Sequence, residues 1–136
     1  MVQGSEETLF SGAKDSLSQA AHSMRDCFEK VIRELAPSEC VKVQPWFLPT
    51  PEASDEVSRR SRLRYMLYGS GENIDQLFVK RLDDLAGFAL NSLNICIGSA
   101  HNHELNATQD QTRLVIDNAR YELLIILEAY NSRIEK

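Results

Sequence analysis

The sequence has few of the features that mark disulfide-stabilised, membrane-spanning or metal-binding proteins. Its 136 residues include only three cysteines, which lie far apart without a CxxC pair, so neither a disulfide framework nor a thiolate metal site is expected. No apolar run approaches the roughly 20 residues that span a bilayer. The acidic first ten residues lack the basic start and apolar run of a signal peptide. We therefore expect a cytoplasmic protein with no metal and no other cofactor.

The chain also lacks the positive charge of a protein whose whole surface binds nucleic acid. Its formal charge is -5 at pH 7 and its pI is near 5.2, whereas such binding neutralises phosphates with Lys and Arg. The net charge does not exclude a basic patch on one part of the surface. A hydrophobic content of 43% in a chain of this length supports one sizeable core. We expect residues 1–136 to form a single helical domain, which could be excised from a longer protein.

Proline is absent everywhere except between residues 37 and 51, which hold all four prolines. That segment cannot be regular helix, although residues 40–43 could form a short extended piece. Elsewhere, apolar residues recur at helical spacing, and caps and stops bound the runs. The sequence predicts helices at about residues 5–36, 55–68, 73–97 and 108–133. The expected fold is all-α, a bundle of about four helices with one irregular, proline-rich crossover.

Two of the predicted helices carry more apolar residues than one narrow stripe holds. In the third, the pattern predicts one broad apolar side with Ile74, Leu77, Phe78, Leu85, Phe88, Ala89 and Cys96, extended by Leu82, Ala86, Leu90, Leu93 and Ile97. The last helix has a core face from Ile116 to Tyr130 and a second stripe opposite it, formed by Leu114, Tyr121 and Ile125. A second stripe needs a partner. That partner is either another part of this chain or a second copy.

Four arginines within six positions are the clearest anomaly in an acidic chain. Arginine forks match phosphate geometry, and the tyrosines that follow could stack bases. However, helical spacing spreads the four around most of the circumference, and pairing with Asp and Glu of neighbouring helices explains them equally well. The candidate phosphate- or nucleic-acid-binding residues here are Arg59, Arg60, Arg62 and Arg64.

A second constellation lies on the first predicted helix, where His22 and Arg25 share one flank with Ser18 and Glu29. His22 and Arg25 could together hold an anion or steer a proton. The alternative is an ordinary solvated face with an Arg25–Glu29 ion pair.

A third constellation follows at the end of the third predicted helix, with Asn94, His101 and His103. Histidine is suited to general acid–base cleavage of a phosphodiester because its ordinary pKa lies near neutrality. The alternative is that both histidines only solvate a loop. No phosphate-binding glycine loop, GxSxG or HExxH motif accompanies them.

Three stretches together carry a family resemblance: AHSMRDCFEKVIRELAPSE (21–39), SRRSRLRYMLYG (58–69) and ALNSLNICIGSAHNH (89–103). They resemble the helical regions of predicted nucleases associated with prokaryotic PIWI-type defence systems. The pattern is also similar to that of divergent all-helical HEPN domains.

The HEPN resemblance implies a dimer with an Arg-x4-6-His motif that cleaves RNA without a metal. His101 matches the motif histidine. No arginine stands at residues 94–96, where Asn94 is the nearest polar residue and cannot supply positive charge. Arg64 or Arg25, or a residue of a partner subunit, would have to replace the missing cation.

Two hypotheses follow from these observations. In the first, the chain is a HEPN-like module of a prokaryotic defence or stress system that binds RNA or another phosphorylated ligand. If it is an enzyme, it is a metal-independent ribonuclease, with His101 and Asn94 as the catalytic residues. In the second, it is a non-catalytic helical domain that dimerises or docks onto a larger effector protein. The missing arginine favours the second hypothesis, and the arginine cluster favours the first.

Overall fold

The computed structural model describes residues 2–99 and 109–135, and the side chains of residues 16–98 and 109–134. This part of the chain contains helices and no strand, which confirms the predicted all-α bundle. The helices are α1 (Val2–Leu35), α2 (Ser38–Lys42), α3 (Arg59–Tyr68), α4 (Gln76–Ser99) and α5 (Gln109–Glu135). None of them combines the length and the apolarity needed to cross a lipid bilayer.

Helix α3 begins later than its sequence predicted. Ser58, not Ser54 or Asp55, caps it by accepting a hydrogen bond from the Ser61 N–H at 3.1 Å. Glu56 has a φ of 65°, in the left-handed region that an α-helix excludes. The Asp55 carboxylate instead accepts from the Val57 N–H at 3.1 Å. The predicted start at residue 55 was therefore wrong, because Asp55 belongs to the preceding turn.

The proline-rich segment contains a short helix where an extended piece was expected. Residues 40–43 are not extended, since Cys40, Val41 and Lys42 lie in α2. The Pro37 carbonyl accepts hydrogen bonds from the N–H groups of Cys40 and Val41, both at 3.0 Å. Proline opens a helix readily because the first turn needs no N–H from it. The prediction that the segment cannot be regular helix was therefore wrong for residues 38–42, because one short helix fits between its first two prolines.

Trp46 and Phe47 attach the rest of this segment to the bundle. Both pack partly buried against the core, and the Trp46 Nε1–H donates to the Gly69 carbonyl at 3.1 Å. Leu48, the next residue along, is 77% exposed. The crossover is thus a connection that packs on the bundle through its two aromatic side chains.

The three long helices pack against one another, α3 contacts all three, and α2 rests on α3. Helices α1 and α4 run antiparallel: Arg25 meets Asn94, whereas Ile32 shares a cavity wall with Leu90. The largest fully buried side chains are Phe28, Val41, Leu63, Met66, Val79, Leu93 and Ile126.

The apolar residues of α4 that face the core are not the ones that the sequence prediction placed first. Leu82, Ala86, Leu90 and Leu93, expected only to extend the apolar side, are buried. Leu77, Phe78, Leu85 and Phe88 are exposed, with Phe88 at 72%. The prediction for these four was wrong, because α1, α3 and α5 cover the other row. On α5 the core face is as predicted, and Leu114 and Tyr121 are 60% and 65% exposed.

Candidate functional site

The antiparallel packing of α1 and α4 joins two groups of residues that the sequence left apart. The Arg25 Nη1 donates a hydrogen bond to the Asn94 Oδ1 at 3.0 Å. The Arg25 Nη2 lies 3.2 Å and 3.4 Å from the two ring nitrogens of His22. We refer to His22, Arg25 and Asn94 as the Arg25–Asn94 cluster. It brings a guanidinium, an imidazole and an amide together on the surface where α1 meets α4.

The partners of Arg25 leave most of its charge available to a ligand. Asn94 is neutral, and the only carboxylate that meets Arg25 among the described residues is Asp26, at 3.5 Å. The Asp26 side chain is 64% exposed and also lies 3.5 Å from the His22 Nδ1. Ion pairs at such exposure contribute little. The Arg25 side chain itself is 26% exposed, so its polar atoms remain within reach of solvent and of an anion. The predicted Arg25–Glu29 ion pair does not form.

Arg62 lies in a different environment, since it is buried with 6% of its surface exposed. Its guanidinium donates to the Ala36 carbonyl at 2.6 Å, to the Ser38 hydroxyl at 2.9 Å and to the Asp55 carboxylate. These bonds tie α3 to the end of α1 and to the start of α2. A side chain held in this way cannot reach a phosphate outside the bundle, so we leave Arg62 out of the ligand-binding set.

The same network shifts the titration of Asp55. A hydrogen bond from the Ser38 hydroxyl at 2.6 Å, with further contributions from the Val57 N–H and the Arg62 charge, lowers the Asp55 pKa from 3.8 to about 2. Partial desolvation opposes this change. The carboxylate is therefore ionised at neutral pH, and its charge is matched by Arg62.

The other arginines of α3 point to separate places. Arg59 binds the Asp83 carboxylate at 2.7 Å and the Asp83 carbonyl at 3.2 Å, and Arg60 reaches the second carboxylate oxygen at 3.5 Å. The Arg64 guanidinium lies 4.3 Å from the centroid of the Trp46 ring, and burial lowers its pKa. The four arginines thus occupy three environments, since Arg59 and Arg60 share Asp83. Three of the four meet a carboxylate, as the alternative interpretation predicted.

The sequence-predicted site is therefore only partly assembled. His22, Arg25 and Asn94 come together, whereas Arg59, Arg60, Arg62 and Arg64 do not form one surface. His101 and His103 lie outside the described residues. The sequence did not single out Asp55 and Asp83, the acidic partners of α3. Only the position of Ser58 as a cap, which moves Asp55 out of the helix, could have indicated the first of these.

Comparison with known proteins identifies one family. A model of the family described as predicted pPIWI-associating nuclease matches residues 1–121, which is most of the chain. No curated protein and no solved structure shows a significant match. The resemblance that the three sequence stretches indicated is confirmed for this family, and the helical bundle is compatible with a HEPN-like fold.

Proposed function

Because this chain belongs to the predicted pPIWI-associating nuclease family, we propose that it binds and cleaves RNA at the Arg25–Asn94 cluster, with His101 as general acid or base. The family description names a nuclease and an association with a pPIWI protein. The RNA substrate, the residues and the role in prokaryotic defence are our proposal. Within it, the partner is a pPIWI protein and the site of action is the cytoplasm.

One observation supports this site above the others, namely the hydrogen bond between Arg25 and Asn94. Asn94 stands where a HEPN-type motif carries its arginine, and the chain has no cation there. Arg25 reaches that position from α1, with its Nη1 3.0 Å from the Asn94 Oδ1. A guanidinium at this point supplies the positive charge that Asn94 lacks. The other proposed substitute, Arg64, is stacked on Trp46 and lies on α3.

In the proposed reaction, one group transfers a proton and another stabilises negative charge. The ribose 2′-oxygen attacks the adjacent phosphorus, the bond between phosphorus and the 5′-oxygen breaks, and a 2′,3′-cyclic phosphate remains. His101 takes the proton of the 2′-hydroxyl or returns one to the leaving 5′-oxygen. Arg25 stabilises the negative charge that grows on the phosphoryl oxygens, and Asn94 orients the guanidinium. His22 provides a second imidazole, whose ring nitrogens lie 3.2 Å and 3.4 Å from the Arg25 Nη2.

The test is cleavage of a mixed RNA pool by the purified chain in EDTA. We expect Arg25→Gln and His101→Ala each to lower the rate by about 100-fold, as loss of one charge-stabilising or proton-transferring group does. Asn94→Ala should have a smaller effect in the same direction. The matched control is Arg120→Gln, since Arg120 is 63% exposed on α5 and, among the described residues, pairs only with the exposed Asp117. It should stay within about twofold of wild type.

Two results would sink the nuclease proposal. One is a rate that Arg25→Gln leaves unchanged while the variant remains folded by circular dichroism. The other is the absence of both cleavage and RNA binding at low salt. Cleavage that yields a 3′-hydroxyl instead of a cyclic phosphate would exclude the 2′-hydroxyl as nucleophile.

A second candidate function rests on a different observation. Phe88 on α4 and Leu114 and Tyr121 on α5 are exposed large apolar side chains, at 72%, 60% and 65%. Such side chains are suited to an interface with a second copy or with a larger effector. If the chain is a non-catalytic dimerisation domain, Leu114→Lys/Tyr121→Lys should turn a dimer into a monomer with intact helical content. A wild-type monomer by light scattering would exclude the homodimer.

A further inference from the structure

A cavity of about 210 Å³ lies beside the Arg25–Asn94 cluster, between α1, α3, α4 and the turn that precedes α3. Its walls include Glu29 and Arg33 of α1, Arg59 of α3 and Leu90 of α4. Residues four apart on a helix share a face. Glu29 therefore lies one turn from Arg25, and Leu90 one turn from Asn94. The cavity therefore lies about one helical turn along α1 and α4 from the proposed reaction centre.

Two of the lining side chains are charged and have no ion-pair partner among the described residues. They are Glu29 and Arg33, both exposed on α1. Arg59 also has a donor nitrogen left over for a ligand. Its Nε and Nη2 bind Asp83, while its Nη1 makes no hydrogen bond in the described part of the chain. The cavity thus offers two guanidinium groups and one carboxylate to a ligand. The other charged lining groups, Arg62 and Asp55, bind each other.

Gly87 fixes the place of Arg59 beside this cavity. A Cβ atom at residue 87 would lie 2.7 Å from the Arg59 Nη2 and 3.6 Å from its Cζ. A side chain there would displace the guanidinium, so the absence of one lets Arg59 lie across α4.

The combination of charges selects a particular kind of ligand. Guanidinium groups bind phosphate oxygens through directed hydrogen bonds. A carboxylate repels phosphate but accepts hydrogen bonds from hydroxyl groups, and the ribose 2′-hydroxyl is the donor that distinguishes RNA from DNA. The volume is below the roughly 300–1,000 Å³ of pockets for drug-sized ligands, so the cavity fits one sugar–phosphate unit and not a longer segment.

We propose that this cavity binds the ribonucleotide next to the phosphodiester held at Arg25. Arg33 and Arg59 contact its phosphate, and Glu29 accepts a hydrogen bond from its 2′-hydroxyl. This assignment rests on the proposed function for the identity of the substrate as RNA. It adds a residue that selects ribose over deoxyribose and two that set the path of the strand along α1.

The test measures binding of adenosine 5′-monophosphate and 2′-deoxyadenosine 5′-monophosphate by calorimetry at low salt. The wild type should bind the ribonucleotide about tenfold more tightly, the effect of one hydrogen bond to a charged group. Glu29→Gln should remove this preference, and Arg33→Gln should weaken both ligands by about tenfold. The controls on exposed residues are Glu34→Gln and Arg120→Gln, which should leave both affinities within about twofold.

The outcomes separate this inference from the nuclease proposal. Arg25→Gln should lower the rate of RNA cleavage by about 100-fold and keep nucleotide affinity within about twofold, because Arg25 does not line the cavity. Nucleotide binding with the expected Glu29 and Arg33 effects but without RNA cleavage supports the cavity and sinks the nuclease proposal. RNA cleavage without nucleotide binding, or equal binding of the two nucleotides by wild type, overturns the cavity assignment alone.

Discussion

Arg62 and Arg25 are both arginines at the boundary between two helices, yet their surroundings differ completely. Arg62 is 6% exposed and binds a backbone carbonyl, a hydroxyl and a carboxylate. Arg25 is 26% exposed at its side chain and binds a neutral amide, with an imidazole beside it. The first has its charge balanced inside the protein, and the second keeps most of its charge for an external anion. A cluster of arginines in a sequence therefore indicates a ligand site less reliably than the absence of nearby carboxylates in the fold.

Replacement of Arg62 should produce the largest effect on stability. Arg62→Met removes the hydrogen bonds to the Ala36 carbonyl and the Ser38 hydroxyl and leaves Asp55 without the cation that it meets in the described part of the chain. We expect the free energy of unfolding to fall by about 3 kcal/mol, because the buried Ala36 carbonyl and the partly exposed Asp55 carboxylate both lose their donor. Urea denaturation followed by circular dichroism measures it. A loss below about 1 kcal/mol would show that Arg62 is not the structural arginine of the comparison.

The dependence of the free energy of unfolding on pH at acidic pH tests the role of Asp55, the partner of Arg62. The Asp55 pKa is lowered to about 2 in the folded protein, so the unfolded chain binds the proton more tightly. The stabilisation is present above the usual value of 3.8 and is lost as the pH falls towards 2. Because Asp55 is 38% exposed, solvent screening reduces its contribution to the order of 1 kcal/mol.

Asp55→Asn should therefore destabilise the protein at pH 7 and make its stability depend less on pH between 4 and 2 than that of wild type. The measurement is urea denaturation at several pH values. Asp26→Asn is the matched control, since Asp26 is 64% exposed. If the free energy of unfolding of Asp55→Asn changed with pH between 4 and 2 as much as that of wild type, the lowered pKa of Asp55 would be contradicted.

Replacement of Arg25 should have the smallest effect on stability and a distinct effect on RNA binding. Arg25→Gln should change the free energy of unfolding by less than about 0.5 kcal/mol, because its partners are neutral or exposed. The slope of log affinity for RNA against log salt should decrease in magnitude by about 1, the value for one lost phosphate contact. Equal slopes for wild type and Arg25→Gln would remove Arg25 from the ligand-binding set and erase the contrast with Arg62.

Part of the candidate site could be predicted from the sequence. His22 and Arg25 share a helix flank by spacing alone, and Asn94 was singled out at the end of α4. Their meeting was not predictable, because it depends on the antiparallel register of α1 and α4, which no local pattern encodes. The cavity was also missed, because the alternative interpretation placed Glu29 on an ordinary solvated face and the sequence did not single out Arg33. Only the fold places Arg59 and Leu90 beside them.

The fold shows the same division between local and long-range information. Proline positions and apolar periodicity determined the helical class, the irregular crossover and four of the helices, because hydrogen bonds within helices follow local sequence. Which apolar row of α4 is buried was decided by the tertiary structure, since burial depends on what packs against a helix.

The same holds for charge: the sequence determined how many arginines the chain has and where they lie along it. Only the tertiary structure decided that Arg62 meets Asp55 while Arg25 meets Asn94, because the energy of a charge depends on distances and solvent exposure that the folded chain sets.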